Sequence, residues 1–351
     1  MHDGGAVFSP RTTAHPCRQS VMATALTRPD LSDTVVLIGV PTGAGSGRPD
    51  ARGGPAALRR AGLGLALERA GWHVVVRRDL VPRPATGATI RLSHGRAHDL
   101  AGVARWSREV AIAASEVLAA GDRPIFLGGD HSVAIGSIGA AARHWGGRGR
   151  PLFVLWLDAH ADFNTPATTL TGNLHGMALA MLCGAFGTPA MFGLADFPRL
   201  DRHNLLLVGT RSVDPMEGVL LRNHGIEIVH ADDLPSPRLD TALHRLLEDV
   251  DRAHGVLHVS LDLDVLDPAA APGVATPVPR GCAMADIMRI LTTAGSSGCV
   301  ASLDIVEHIP KADDSGRTAN AAVALASALF DTRTRRPPVA GLRQPMQVEN
   351  D

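Results

Sequence analysis

Residues 152–162 read Leu152-Phe153-Val154-Leu155-Trp156-Leu157-Asp158-Ala159-His160-Ala161-Asp162. The apolar run at its start has the character of a strand buried on both faces of a parallel sheet. Three ionisable side chains follow at alternate positions. Alternate side chains of an extended segment share a side, so Asp158, His160 and Asp162 are expected to project together beyond the strand's carboxyl end. Two carboxylates and an imidazole crowded there desolvate and repel one another unless a cation lies among them.

Two other segments repeat the pattern. Val256-Leu257-His258-Val259-Ser260-Leu261 leads into Asp262-Leu263-Asp264, with Pro268 soon after to end the extended segment. Ile125-Phe126-Leu127 leads into Gly128-Gly129-Asp130-His131-Ser132, a turn that opens a helical stretch. Three strand ends thus bring His131, Asp158, His160, Asp162, Asp262 and Asp264 to one rim of a sheet, where open α/β sheets bind ligands. Six ligands exceed what one tetrahedral zinc takes. They suit two ions about 3.5–4 Å apart that ionise a bridging water near neutral pH. Oxygen and imidazole donors without thiolate favour manganese, with iron, cobalt, nickel or zinc as substitutes.

Four blocks in this order resemble the signature blocks of the arginase/agmatinase (ureohydrolase) family. They are GGDHS at 128–132, DAHADFNT at 158–165, SLDLDVLDP at 260–268 and SLDIVEHIP at 302–310. The likeness extends from about Val35 to Phe330. It implies a three-layer α/β/α fold and two manganese ions per subunit. His131, Asp158, Asp162 and Asp262 would hold one ion; Asp158, His160, Asp262 and Asp264 would hold the other, with Asp158 and Asp262 bridging.

The loop at 162–175 separates the arginase-like from the agmatinase-like members of that family, and here it resembles the arginase form. By that resemblance Asn164, Thr171 and Asn173 contact a substrate α-carboxylate, a task suited to neutral donors beside metal charge. His175 falls on the family's proton-shuttling histidine, and imidazole titrates in the right range for it. Glu307 falls on the glutamate that pairs with the guanidinium, and Thr276 on a residue lining that pocket. Asp214 and Glu217 resemble the segment that recognises the α-amino group. Three departures are visible: His308-Ile309-Pro310 follows the glutamate instead of Val-Asn-Pro, Ser212 stands where an acid is usual, and Thr171 replaces the more usual Ser. None touches a metal ligand.

The 351 residues carry a net charge of −1 and are 45% hydrophobic, which suits a soluble enzyme and gives no charge imbalance for nucleic acid or membrane. With 3% aromatic residues and no tyrosine, platforms for base stacking are not expected. Cys17, Cys183, Cys282 and Cys299 are widely spaced and form no CxxC, a pattern of reduced core thiols and a cytoplasmic setting. The Gly-rich stretch at 43–54 lacks GxGxxG and the P-loop lysine, so it is taken as a rim loop and not a nucleotide site.

Residues 1–33 have no sustained apolar run and are taken as a disordered N-terminal extension. The catalytic domain is expected at 34–332 and an exposed tail at 333–351. Strand-like segments at 34–40, 73–77, 124–128, 151–158, 204–209, 226–230, 256–263 and 299–305 alternate with helical ones. The helical stretches fall at 55–70, 99–120, 132–145, 174–183, 217–223, 239–254, 284–294 and 317–330. This alternation specifies a mainly parallel sheet of about eight strands covered on both faces.

The expected activity is hydrolysis of L-arginine to L-ornithine and urea. A metal-bridging hydroxide oriented by Asp162 would attack the guanidinium carbon held by Glu307, with His175 assisting proton transfer. The rivals are another guanidino substrate (agmatine, guanidinobutyrate or an N-hydroxy-arginine) and a non-catalytic metal-binding relative. A binuclear phosphoesterase is disfavoured because the motif loops offer amides and hydroxyls where phosphate wants cations. The resemblance implies a homotrimer or homohexamer.

Overall fold

A parallel sheet follows directly from eight short apolar runs separated by helices, because parallel neighbours need a crossover between them. The computed structural model describes Met1 and residues 31–83, 95–187, 192–194, 196–234 and 236–331. Residues 2–30 of the expected extension and the whole tail at 333–351 lie outside the described residues. The strands are β1 (Thr34–Val40), β2 (His73–Val76), β3 (Arg123–Gly128), β4 (Leu152–Leu157), β5 (Leu205–Thr210), β6 (Glu227–His230), β7 (Val256–Asp262) and β8 (Val300–Val306). They form one sheet in the order β2-β1-β3-β8-β7-β4-β5-β6, every pair parallel.

The helices described are α1 (Gly54–Arg60), α2 (Leu63–Arg69), α3 (Leu100–Ala119), α4 (Val133–Gly146), α5 (Ala178–Leu182), α6 (Pro215–His224), α7 (Pro237–Arg252), α8 (Met284–Ser296) and α9 (Arg317–Leu329). Alternation along the strands assigns them to two layers. Leu155 and Leu157 of β4 join a core with Leu58, Leu63 and Leu67 of α1 and α2 and with α7, α8 and α9. Val154 and Trp156 face the opposite core, with Ile135 and Ile138 of α4 and with α5. Strands buried on both faces need this sandwich, since water on either side would expose the apolar runs.

The helix boundaries depart from expectation in several places. The stretch at 55–70 is two helices, because Gly62 adopts φ 90° and breaks the hydrogen-bond ladder. Residues 174–183 begin as a 3₁₀ turn, His175–Met177, before the one-and-a-half turns of α5. Helix α6 starts at Pro215, two residues before the expected position. Pro at the first helical turn lacks only a donor that would be unsatisfied there anyway.

Strands β7 and β8 break the apolar rule on one face. His258 and Ser260 of β7 and Ser302 and Asp304 of β8 are all buried. His258 Nδ1 lies 2.7 Å from Ser302 Oγ and its Nε2 lies 3.2 Å from Asp304 Oδ2, which also accepts from Ser137 of α4 at 2.6 Å. A buried polar group without partners is costly, so this chain of contacts is what lets the two strands carry such residues.

Candidate functional site

The centre of the sheet supplies the heart of the site. Strands β3, β8, β7 and β4 are adjacent, and their carboxyl ends lead into His131, Glu307, Asp262 with Asp264, and Asp158 with His160 and Asp162. In sequence these residues span 131–307, so only the strand order makes them neighbours.

The local geometry differs from the extended segments expected. Strand β4 ends at Leu157, and the residues from Asp158 onward turn away as a loop. His160 N–H donates to Asp158 Oδ1 at 2.7 Å, tightening that turn. Asp162 then takes φ 48°, a left-handed conformation uncommon outside glycine. Strand β7 likewise ends at Asp262, whose side chain accepts from Asp264 N–H at 2.9 Å, and Asp264 sits in a 3₁₀ turn, Leu263–Val265. The ligands converge because capped turns fold them back over the strand ends, and not because side chains alternate.

His131 lies at the bottom. Its ring stacks on Trp156 at 4.1 Å with planes 13° apart, and Nε2 lies 2.9 Å from Ser260 Oγ. Nδ1 faces Asp158 Oδ2 at 3.0 Å, Asp162 Oδ2 at 3.1 Å and Asp262 Oδ2 at 3.2 Å. Despite that proximity, His131 Nδ1 and Asp162 Oδ2 are buried without a hydrogen bond, their directions being wrong for one. Beside this group, His160 Nδ1 lies 3.1 Å from Asp264 Oδ2 and 3.5 Å from Asp158 Oδ1. Asp158 belongs to both clusters of possible metal-holding groups, one oxygen turned toward each.

These distances fit cations. Oxygen and nitrogen atoms arranged about a common point but not aligned as donor and acceptor are what a divalent ion requires. Burial pushes the Asp162 carboxyl up to about 6, with the charge of Asp158 adding to the rise. Burial opposes charge on His160, yet Asp264 and Asp158 lift that imidazole to about 12. The carboxylates therefore draw positive charge onto the imidazoles, and a metal ion would replace those protons.

Glu307 follows β8 with φ 64° and is buried. Its Oε1 accepts from His131 N–H at 2.7 Å and lies 2.8 Å from His175 Nδ1, while Oε2 is buried without a partner. Burial disfavours the charged form of His175, but the adjacent carboxylate more than offsets this and raises the imidazole to about 9. An unpartnered carboxylate oxygen next to a held imidazole is an arrangement able to bind a cationic substrate and move a proton.

The remaining expected residues fall into two groups. Thr276 Oγ1 donates to Asp264 Oδ2 at 3.1 Å, so it touches a group that could hold a metal ion. Asn164 is buried and its Nδ2 donates to Asp214 Oδ2 at 3.1 Å. Glu217 caps α6 reciprocally with Asp214, and its Oε1 also accepts from Phe163 N–H at 2.8 Å, tying α6 to the 162–175 loop. Burial raises Glu217 to about 7 against those backbone donors. Thr171 is exposed and Asn173 half-buried, and the Thr171 hydroxyl accepts from Asn173 N–H at 3.1 Å.

Several contributors escaped the sequence reading. Asp130 Oδ2 accepts from Gly45 and Ser46 N–H at 2.7 and 2.9 Å, pinning residues 42–48 over the site. Trp156 Nε1 donates to Asp158 Oδ2 at 3.0 Å. Arg211 donates to the carbonyls of Asp264 at 2.8 Å and Val278 at 2.8 Å, among others, and thereby holds the turn that carries Asp264. Asp130 lies within a quoted motif, and Trp156 precedes Asp158 by one alternation. Arg211 gave no local signal. The His308 ring, one of the departures noted, is buried with Nε2 3.0 Å from Asp313 Oδ2.

A family model described as the arginase family matches residues 33–331. An arginase of Agrobacterium fabrum is 37% identical over 302 residues, covering 86% of this chain and 91% of that one. Human mitochondrial arginase-2 is 33% identical over 312 residues, 86% of each chain. The solved arginase of Bacillus caldovelox superposes with a TM-score of 0.76 at 34% identity, covering 85% of this chain and 98% of that chain.

Proposed function

The chain belongs to the arginase family, and we propose that it hydrolyses L-arginine to L-ornithine and urea with two manganese ions held at the ends of β3, β4 and β7. The observation that carries this reading is the buried His131 Nδ1, which three carboxylate oxygens approach within 3.2 Å and none accepts from. His131, Asp158, Asp162 and Asp262 would hold one ion and Asp158, His160, Asp262 and Asp264 the other. Bound there, the cations would acidify water so that hydroxide is available near neutral pH.

The chain's own groups account for the rest of the reaction. Glu307 Oε2 accepts from the substrate guanidinium and sets its carbon beside Asp162. Asp162 would orient the attacking water, take up its proton and pass it on to the departing amine. Glu307 Oε1 fixes the proton of His175 on Nδ1, which leaves Nε2 to deliver a second proton to the departing amine. Asn164, Thr171 and Asn173 would receive the α-carboxylate, and Asp214 and Glu217 would orient the α-amino end. Deep burial of the carboxylates keeps bulk water from competing for their charge.

We place the enzyme in the cytoplasm as a homotrimer or homohexamer, with its catalytic domain at 34–332. Among the described residues no helix is long and apolar enough to cross a membrane. Urea release from L-arginine, agmatine, guanidinobutyrate and N-hydroxy-arginine after manganese loading tests the reading. L-arginine should give the highest kcat/KM; faster turnover of agmatine would refute the substrate assignment.

A further inference from the structure

The outer part of the 162–175 loop is gripped from outside by residues 95–99. Arg96 N–H donates to the Pro166 carbonyl and His98 N–H to the Gly172 carbonyl, both at 2.8 Å. The His98 ring adds a third contact, with Nε2 2.9 Å from the Thr171 carbonyl. Donation to a carbonyl requires the proton on Nε2, so this contact selects one tautomer. Gly172 has φ 83°, and a Cβ there would come within 2.8 Å of His98 Nε2, so the ring is seated against the loop's tightest turn.

The strap is not a loose strand of surface chain. Asp99 caps α3 by accepting from Gly102 N–H at 2.9 Å, which fixes the residue next to His98. Helix α3 packs closely on α4, where Gly136 admits the Ser107 carbonyl and Val110. Helix α4 in turn begins just after His131. A continuous rigid path therefore runs from the metal-ligand end of β3 through α4 and α3 to the back of Thr171.

Inside the loop, the contacts of Thr171 are few. Its hydroxyl accepts from Asn173 N–H, and Gly172 N–H donates to Thr169 Oγ1 at 3.0 Å. His98 is the one side chain beyond the loop that the described contacts place on the Thr171 peptide within 3.0 Å. We infer that His98 is a specificity-determining positioning residue, holding the Thr171–Asn173 turn in the orientation that reads the substrate's α-carboxylate. This rests on the assignment of that loop to the carboxylate under the proposed function.

His98→Ala removes the ring contact and keeps both backbone donors, and His98→Gln restores a donor of similar reach. Loss of one such hydrogen bond predicts a KM for L-arginine about 3- to 10-fold higher, with kcat within about twofold. Inhibition by L-ornithine, which carries the carboxylate, should weaken in parallel. Inhibition by guanidinium ion, which lacks it, should stay unchanged, and His98→Gln should return KM toward its starting value. A general disturbance of the fold would instead lower kcat and weaken guanidinium binding together, and that result overturns the inference. An unchanged KM for L-arginine in His98→Ala overturns it alone. Preference of the unsubstituted enzyme for agmatine removes the underlying assignment as well, and is seen before any variant is made.

Discussion

Glu307→Gln separates charge from shape at the point where the site's parts meet. The amide is nearly isosteric, and its oxygen can still accept from His131 N–H, so the left-handed backbone at 307 and its packing should survive. What disappears is the negative charge beside His175. The rise of that imidazole from 6.5 to about 9 corresponds to roughly 3 kcal/mol at about 1.4 kcal/mol per pH unit. Burial works in the other direction, and Glu307 is the largest acidic contribution against it, with Asp162 and Asp130 adding to the rise.

Without the carboxylate, His175 should fall toward its ordinary value, because only Asp162 and Asp130 then oppose burial. Cations at the neighbouring aspartates lower the starting point in both proteins, whereas the direction of the change depends on Glu307 alone. A proton donor must be charged before it can act, so activity is lost first on the alkaline side. The basic limb of kcat/KM against pH should move down by about one pH unit or more. Loss of a charge-assisted contact with the guanidinium adds a fall of about 10- to 150-fold at every pH. The assay is urea release from pH 5.5 to 10 with saturating manganese. A uniform fall with an unmoved basic limb would refute the claim that Glu307 sets the protonation of His175.

Chelation should destabilise the protein as well as silence it, since the aspartates then face each other in a buried pocket. A cation at 100 times its dissociation constant contributes about 2.7 kcal/mol. Thermal melts with EDTA and with re-added manganese check this, and identical curves would argue against a resident ion. Gly129→Ala should prevent stable folding of the GGDHS turn, because its Cβ would lie 1.7 Å from the Thr42 carbonyl oxygen, where backbone meets backbone. A loss of roughly 3 kcal/mol or more is expected from such overpacking. Gly47→Ala is the control: nothing lies within 4 Å there, so only the cost of φ 66° remains, about 1 kcal/mol.

Much of the molecule was legible in its residues. Apolar runs bounded by Gly, Asp and Pro marked the strands at the heart of the site, since a strand buried on both faces has no choice but to be continuously apolar. The clustered acids and imidazoles at three of their ends identified six potential metal ligands, because no other role makes such a grouping tolerable in an apolar setting. The family resemblance marked Glu307 as a candidate through the fourth block and His175 through the 162–175 loop. Helix ends were less legible. Gly62 lies inside the stretch expected as one helix at 55–70, and its φ of 90° splits the segment.

Tertiary structure alone decided how those parts meet. Nothing local states that β8, last in the chain, inserts between β3 and β7, yet that order brings Glu307 beside His131. The turns at Asp162 and Asp264 were likewise invisible, since left-handed and 3₁₀ conformations are imposed there by neighbours and not by the residues' own preferences. The same holds for Arg211 and His98, whose partners are carbonyls of distant segments. A carbonyl belongs to every residue and so leaves no mark in a sequence. Side-chain chemistry announces what a site is made of, and the packing of the sheet fixes which atoms face one another.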